Sequence, residues 1–160
     1  MNISNYILDG HDVSKLFDTS ITPISFSDDP RKHIPKNGSI IYSVWDDNEK
    51  FIYIGISGLQ KSLEKRNPLS RMISHASGVR SGDQFCVYVS DRLVMKNLTD
   101  EQIKGISQGT YSLDHQIRDF IRTELSYRYA LVPDDPTARA LGRYGLQIAK
   151  GQGAELLNTL

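Results

Sequence analysis

Cysteine is almost absent, since Cys86 is the only one in 160 residues. That excludes an intrachain disulfide, and it excludes a thiolate metal cluster built within one chain. Cys86 lies in the apolar run Phe85-Cys86-Val87-Tyr88-Val89, where a buried and inert thiol is the ordinary outcome. Net charge is missing too. Lys plus Arg and Asp plus Glu stand at 19 each, so the formal net charge is zero, and no chain-wide positive field exists to draw in polyanions. No apolar run reaches the roughly eighteen residues of a membrane-spanning helix, so no membrane partner is expected. Residues Met1 to Tyr6 carry neither a basic flank nor an apolar signal core. A cytoplasmic protein is the simplest expectation. Internal repeats and low-complexity tracts are also lacking.

What is present suits one globular domain: 39% of the residues are hydrophobic and 24% are charged. Positive charge gathers locally. Between positions 61 and 80 stand Lys61, Lys65, Arg66, Arg71 and Arg80 against one acid, Glu64. A run this short is most often a solvated helix face. The competing reading gives Lys61, Lys65 and Arg80 contacts to nucleic-acid phosphates.

The chain divides near Gly38 into residues 1–37, an N-terminal arm or linker, and residues 38–160. Asp12 to Phe17 suits a short helix. Thr19 to Asn37 mixes Pro23, Pro30 and Pro35 with Ser and Asp, and reads as extended. Ser39 to Trp45 and Phe51 to Ile56 are rich in β-branched and aromatic residues, and the polar turn Asp46-Asp47-Asn48-Glu49 between them predicts a hairpin. Pro68 opens a helix ending near Gly78. The continuous apolar run from Gln84 to Ser90 reads as a third strand, buried on both faces. Leu113, Ile117, Phe120 and Ile121 share one face of a helix over Ser112 to Glu124. Tyr127 to Val132 is a fourth strand, and Pro136 opens a last helix. The expected fold class is α+β: a small mixed central sheet with helices packed on its faces.

Certain polar residues recur at suggestive spacings. Tyr42 and Tyr53 sit on the two hairpin strands, where both can share one face. Arg71 and His75 are four apart, one above the other on a helix. Asn158 follows the apolar pair Leu156-Leu157 near the end. Singly these are ordinary, because strand tyrosines usually pack, an Arg and a His at helical spacing are usually surface, and Asn158 suits a terminal turn.

In combination they resemble the GIY-YIG nuclease superfamily over roughly Gly38 to Asn158. Ile40-Ile41-Tyr42 stands for the first triad, with Ile in place of the leading Gly, and Tyr53-Ile54-Gly55 is the second triad intact. Arg71, His75 and Asn158 match the helix arginine, the following His-or-Tyr position and the late asparagine. The resemblance implies metal-dependent hydrolysis of phosphodiester bonds, with Mg²⁺ or Mn²⁺ as cofactor and nucleic acid as partner, DNA ahead of RNA. It implies a monomer or homodimer, the dimer suiting double-strand cutting. Tyr42 would act as general base or orient the attacking water, with help to lower its reference pKa of about 10. Tyr53 would hold the phosphate or the water network. Arg71 would neutralise phosphate charge, and His75 would assist proton transfer or bind phosphate.

One element of that pattern is missing. The resemblance implies a metal-binding glutamate on the last helix, and the matching position, counted back sixteen residues from Asn158, is Gly142. Glycine offers a hard cation no side-chain ligand, and in a helix interior it costs about 1 kcal/mol relative to alanine. Three explanations stay open: a degenerate member that binds without cutting, a substitution at position 142, or another acid reaching the site. Glu124, Asp134, Asp135 and Glu155 are the acids to consider, with Asp134 and Asp135 more simply serving a helix N-terminus. A small α+β interaction protein whose tyrosines are core residues is the alternative outside this family.

Overall fold

Residues 6–58 and 67–158 are described by a computed structural model of the chain. The architecture is α+β, with two antiparallel sheets and α-helices on both sides of the larger one. Two short strands, β1 (Ile7–Leu8) and β2 (His11–Asp12), form the small sheet. Asp9 and Gly10 between them take φ of 49° and 79°, the positive values that a two-residue type I′ turn requires. The expected helix over Asp12 to Phe17 shortens to one 3-10 turn, Ser14–Leu16. The stretch from Thr19 to Asn37 is not wholly irregular. It contributes β3 (Ile24–Ser25) and a 3-10 turn at Pro30–Lys32.

The larger sheet has the order β3-β6-β4-β5, where β4 is Ser39–Trp45, β5 is Phe51–Ser57 and β6 is Ser126–Val132. Every pairing among the described strands is antiparallel, which corrects the expectation of a mixed sheet. The short hairpin connection makes β4 and β5 antiparallel, since parallel neighbours need long crossovers.

The helices are α1 (Pro68–Ser77), α2 (Gln84–Val89), α3 (Asp100–Ser107), α4 (Leu113–Glu124) and α5 (Asp135–Gly151). Asn67 caps α1, its side chain accepting from Ser70 N at 2.7 Å, and Pro68 fills the first turn. Gly78 ends α1 with φ 71°. The strand expected over Gln84 to Ser90 is a helix. Its apolar run satisfies either pattern, because a short continuous run carries no period. The deciding feature is Asp83, whose carboxylate accepts from Phe85 N at 3.0 Å and caps the first turn. A π turn at Ser90–Val94 and a 3-10 turn at Met95–Asn97 carry the chain on to α3, a helix without a sequence-level counterpart above.

Alternation along β4 divides the core. Ile40, Tyr42 and Val44 point to one face, where α1, α2 and α4 pack with Met72, Phe85 and Ile117. Ile41 and Trp45 point to the other, against α5 and the N-terminal residues Tyr6, Leu16 and Phe17. No helix among the described residues is long and apolar enough to cross a membrane.

Candidate functional site

β5 is an edge strand, and a cleft of ≈ 360 Å³ opens along its residues Tyr53 to Ile56. Arg71 of α1 lines it from one side, and Arg139, Gly142 and Arg143 of α5 from the other. Asn158 closes one end. Its Nδ2 donates to Ile54 O at 2.8 Å, and Ile54 N donates to its Oδ1 at 3.4 Å. The carboxamide thus stands in for a neighbouring strand at the open edge. Leu157 N adds a bond to Ile52 O of 2.7 Å.

Tyr42 does not line this cleft. It is fully buried, with Gly55 directly across from it on β5. A Cβ at Gly55 would collide with the Tyr42 ring, so the glycine is needed for that close approach. Tyr42 and Tyr53 share a sheet face with ring centroids 6.2 Å apart, and Tyr53 is the one that reaches the cleft. Behind Tyr42 runs a chain of polar contacts. Its hydroxyl lies 2.7 Å from His75 Nε2, and His75 Nδ1 lies 2.7 Å from Asp83 Oδ2. Ser74 Oγ donates to the same carboxylate oxygen at 2.7 Å. His75 also packs on Phe85, with centroids 4.4 Å apart.

Electrostatics follow from burial and this order of contacts. Burial pushes the Tyr42 phenol well above its ordinary value, with the Tyr53 phenol adding to it and Arg71 opposing. Tyr53 shifts upward for the same first reason, again opposed by Arg71. Burial lowers the His75 pKa more than Asp83 raises it, so the imidazole is held neutral. Burial would raise the Asp83 carboxyl, but His75, Ser74 and Arg71 outweigh it and hold it at about 2. Desolvation works against the Arg71 guanidinium, yet the Tyr42 phenol, Asp83 and Tyr53 leave its pKa higher than usual. Arg71 Nε is buried without a hydrogen-bond partner.

The cleft is cationic. Arg71, Arg139 and Arg143 line it together, and no carboxylate does so among the described residues. Arg139 is paired with Asp135, one turn earlier on α5, at 3.1 Å. Asp134 caps α5 through Thr137 N, Glu155 pairs with Lys50 at 2.9 Å, and Glu124 stands outside the cleft. Among the described residues, no group of three or more His, Cys, Asp or Glu side chains is placed to hold a metal. A divalent ion of the kind the resemblance implies wants hard anionic oxygens, so the donors present do not fit it. A Cβ at Gly142 would meet Ile56 Cγ2 at 3.2 Å, a tight contact that the Ile56 side chain would have to ease.

Of the residues singled out from sequence, Tyr53, Arg71, Gly142 and Asn158 line one cleft. Tyr42 and His75 stand behind it as a buried pair. Arg80 is engaged elsewhere, in a surface pair with Asp114 at 2.8 Å. Lys61 and Lys65 lie outside the described residues. Sequence reasoning overlooked Asp83, Arg139 and Arg143. Reading Asp83 as a helix cap would have found the first, and the four-residue spacing of the two arginines around Gly142 signals the others. Comparison with protein-family models, with curated proteins and with solved structures finds no match to this chain.

Proposed function

We propose that this protein is a GIY-YIG-type endonuclease domain acting on the phosphodiester backbone of DNA, with the phosphate seated in the arginine cleft. The observation that carries this reading is the meeting of Tyr53, Arg71 and Asn158 in one cleft that also takes in position 142. Arg71 is the principal phosphate ligand: its charge is permanent, its Nε has no protein partner, and no carboxylate competes for it in the cleft. Arg143 and Arg139 supply further donors from the opposite wall. Tyr53 offers a neutral hydroxyl to a phosphate oxygen or to the attacking water. Tyr42 has no such access and acts from behind, through Arg71 and His75.

The composition of the cleft favours a second reading, in which this chain grips the backbone without cutting it. Gly142 contributes no ligand where the resemblance implies a carboxylate. The two readings part in one experiment, in which binding and cleavage of plasmid DNA with Mg²⁺ or Mn²⁺ are compared for the chain, its Gly142→Glu variant, and Gly142→Glu combined with Arg71→Ala. Binding by all but the last, with Arg71-dependent cleavage only in Gly142→Glu, supports a nuclease site that lacks its acid. Cleavage by the chain itself supports the first reading. An absence of DNA binding throughout sinks both.

A further inference from the structure

The polar chain behind the cleft has a fixed direction. Asp83 is buried at 1% exposure and is ionised, so both of its oxygens can only accept. Oδ1 accepts from Phe85 N, and Oδ2 takes the Ser74 hydroxyl. The His75 nitrogen 2.7 Å from Oδ2 must therefore be the protonated one, Nδ1. His75 is fully buried and held neutral, so its Nε2 is bare and accepts. The Tyr42 hydroxyl, 2.7 Å away, then donates to it. That leaves the lone pairs of the Tyr42 oxygen for Arg71, which has donors and no acceptor.

The geometry points to Asp83 as a positioning residue for the cleft: by accepting from His75 Nδ1 it sets the direction of the Tyr42 hydroxyl and so presents an acceptor that holds the Arg71 guanidinium toward bound phosphate. This inference rests on the phosphodiester reading above. Its charge balance is also favourable. Asp83 and Arg71 sit at the two ends of a neutral His75–Tyr42 bridge, so the positive charge of Arg71 is compensated without a carboxylate occupying the cleft.

Asp83→Asn is the informative variant. Asparagine caps a helix as well as aspartate does, but its amide offers an N–H where the carboxylate offered a lone pair. His75 should switch to the Nε2–H tautomer, reversing its bond with Tyr42 and turning that hydroxyl away from its present partner. Two measurements on the full chain test this. Long-range ¹H–¹⁵N spectra of the ring nitrogens should show His75 protonated at Nδ1 and unchanged from about pH 8 to about pH 5, a range in which an ordinary histidine titrates. Fluorescence anisotropy with a short DNA duplex, at a temperature where both proteins are folded by circular dichroism, should show Asp83→Asn binding roughly ten-fold more weakly, about 1.4 kcal/mol. An Nε2–H tautomer in the unmodified chain overturns the inference, whether or not the variant folds. So does a tautomer switch that leaves affinity unaltered. If the chain has the expected tautomer but binds no DNA, the phosphodiester reading fails, and the positioning role fails with it.

Discussion

The Arg71 guanidinium lies beside two phenols and has one nitrogen, Nε, with no hydrogen-bond partner. Desolvated donors without acceptors are costly unless a ligand completes them. Arg71→Ala is accordingly expected to weaken DNA binding and to lower the slope of log affinity against log salt by about 1, the change for one lost phosphate contact. A titration over several salt concentrations measures both. Acid should act on the same cluster. Asp83 has its pKa lowered from 3.8 to about 2, so its contribution to stability is complete above the higher value and is lost as pH falls through the lower one. The linkage is worth roughly 2 kcal/mol. His75 is also shifted down, so it adds a loss of the same sign that begins as pH falls below 6.5, where the unfolded histidine takes up its proton first. Urea midpoints measured from neutral to strongly acidic pH should fall continuously, and Asp83→Asn should flatten the most acidic part of the curve.

Among the three glycines of helix α5, Gly142 and Gly145 face different constraints. A Cβ at Gly145 would run into the Tyr6 hydroxyl and Ile54 Cδ1, and the Tyr6 hydroxyl donates to Leu141 O in the same region. Gly145→Ala is expected to cost roughly 1–3 kcal/mol through overpacking. Gly142 has only Ile56 Cγ2 near its would-be Cβ, at 3.2 Å. Gly142→Ala should change stability by no more than about 1 kcal/mol, helix propensity favouring it and the tight Ile56 contact opposing it. Comparing the two variants by urea unfolding checks the contrast, and a large loss at both would mean that Ile56 cannot yield to a Cβ at position 142. The position of α5 was legible from Pro136 and the spacing of its apolar residues. The different tolerance of its glycines was not, because it depends on which residues of β5 and the N-terminal segment come to face them.

At the scale of the molecule, the N-terminal segment is bound into both halves of the core. Tyr6, Val13, Leu16 and Phe17 pack on the α5 side of the sheet, and Phe26 and Ile34 on the other. Ser43 Oγ donates to Leu16 O at 2.7 Å, and Tyr129 Oη donates to His33 O at 2.6 Å. Removing residues 1–37 would therefore strip six buried apolar side chains from the two clusters and leave those carbonyl partners unmet. Each such side chain is worth about 1.5–3 kcal/mol on full burial, against a typical total stability of about 5–15 kcal/mol. The shortened chain should fail to show a cooperative thermal transition by circular dichroism. A sharp transition would mean that the remainder is an independent unit.

Local sequence by itself determined the hairpin of β4 and β5, the helices α1, α4 and α5, and β6, because their apolar periods, caps and turn residues act over a few neighbours. It also supplied the residues of the cleft one by one: Tyr53, Arg71 and Asn158. Tertiary structure alone decided the rest. The apolar run after Asp83 carries no period of its own, and its packing against α1 and α4 joins the local Asp83 cap in making it α2. The same aspartate stands beside His75, which in turn contacts the buried Tyr42, while Tyr53 lies on the edge strand β5. Contacts between residues distant in the chain set these outcomes, since burial, hydrogen-bond direction and the lining of a cleft are properties of neighbours in space.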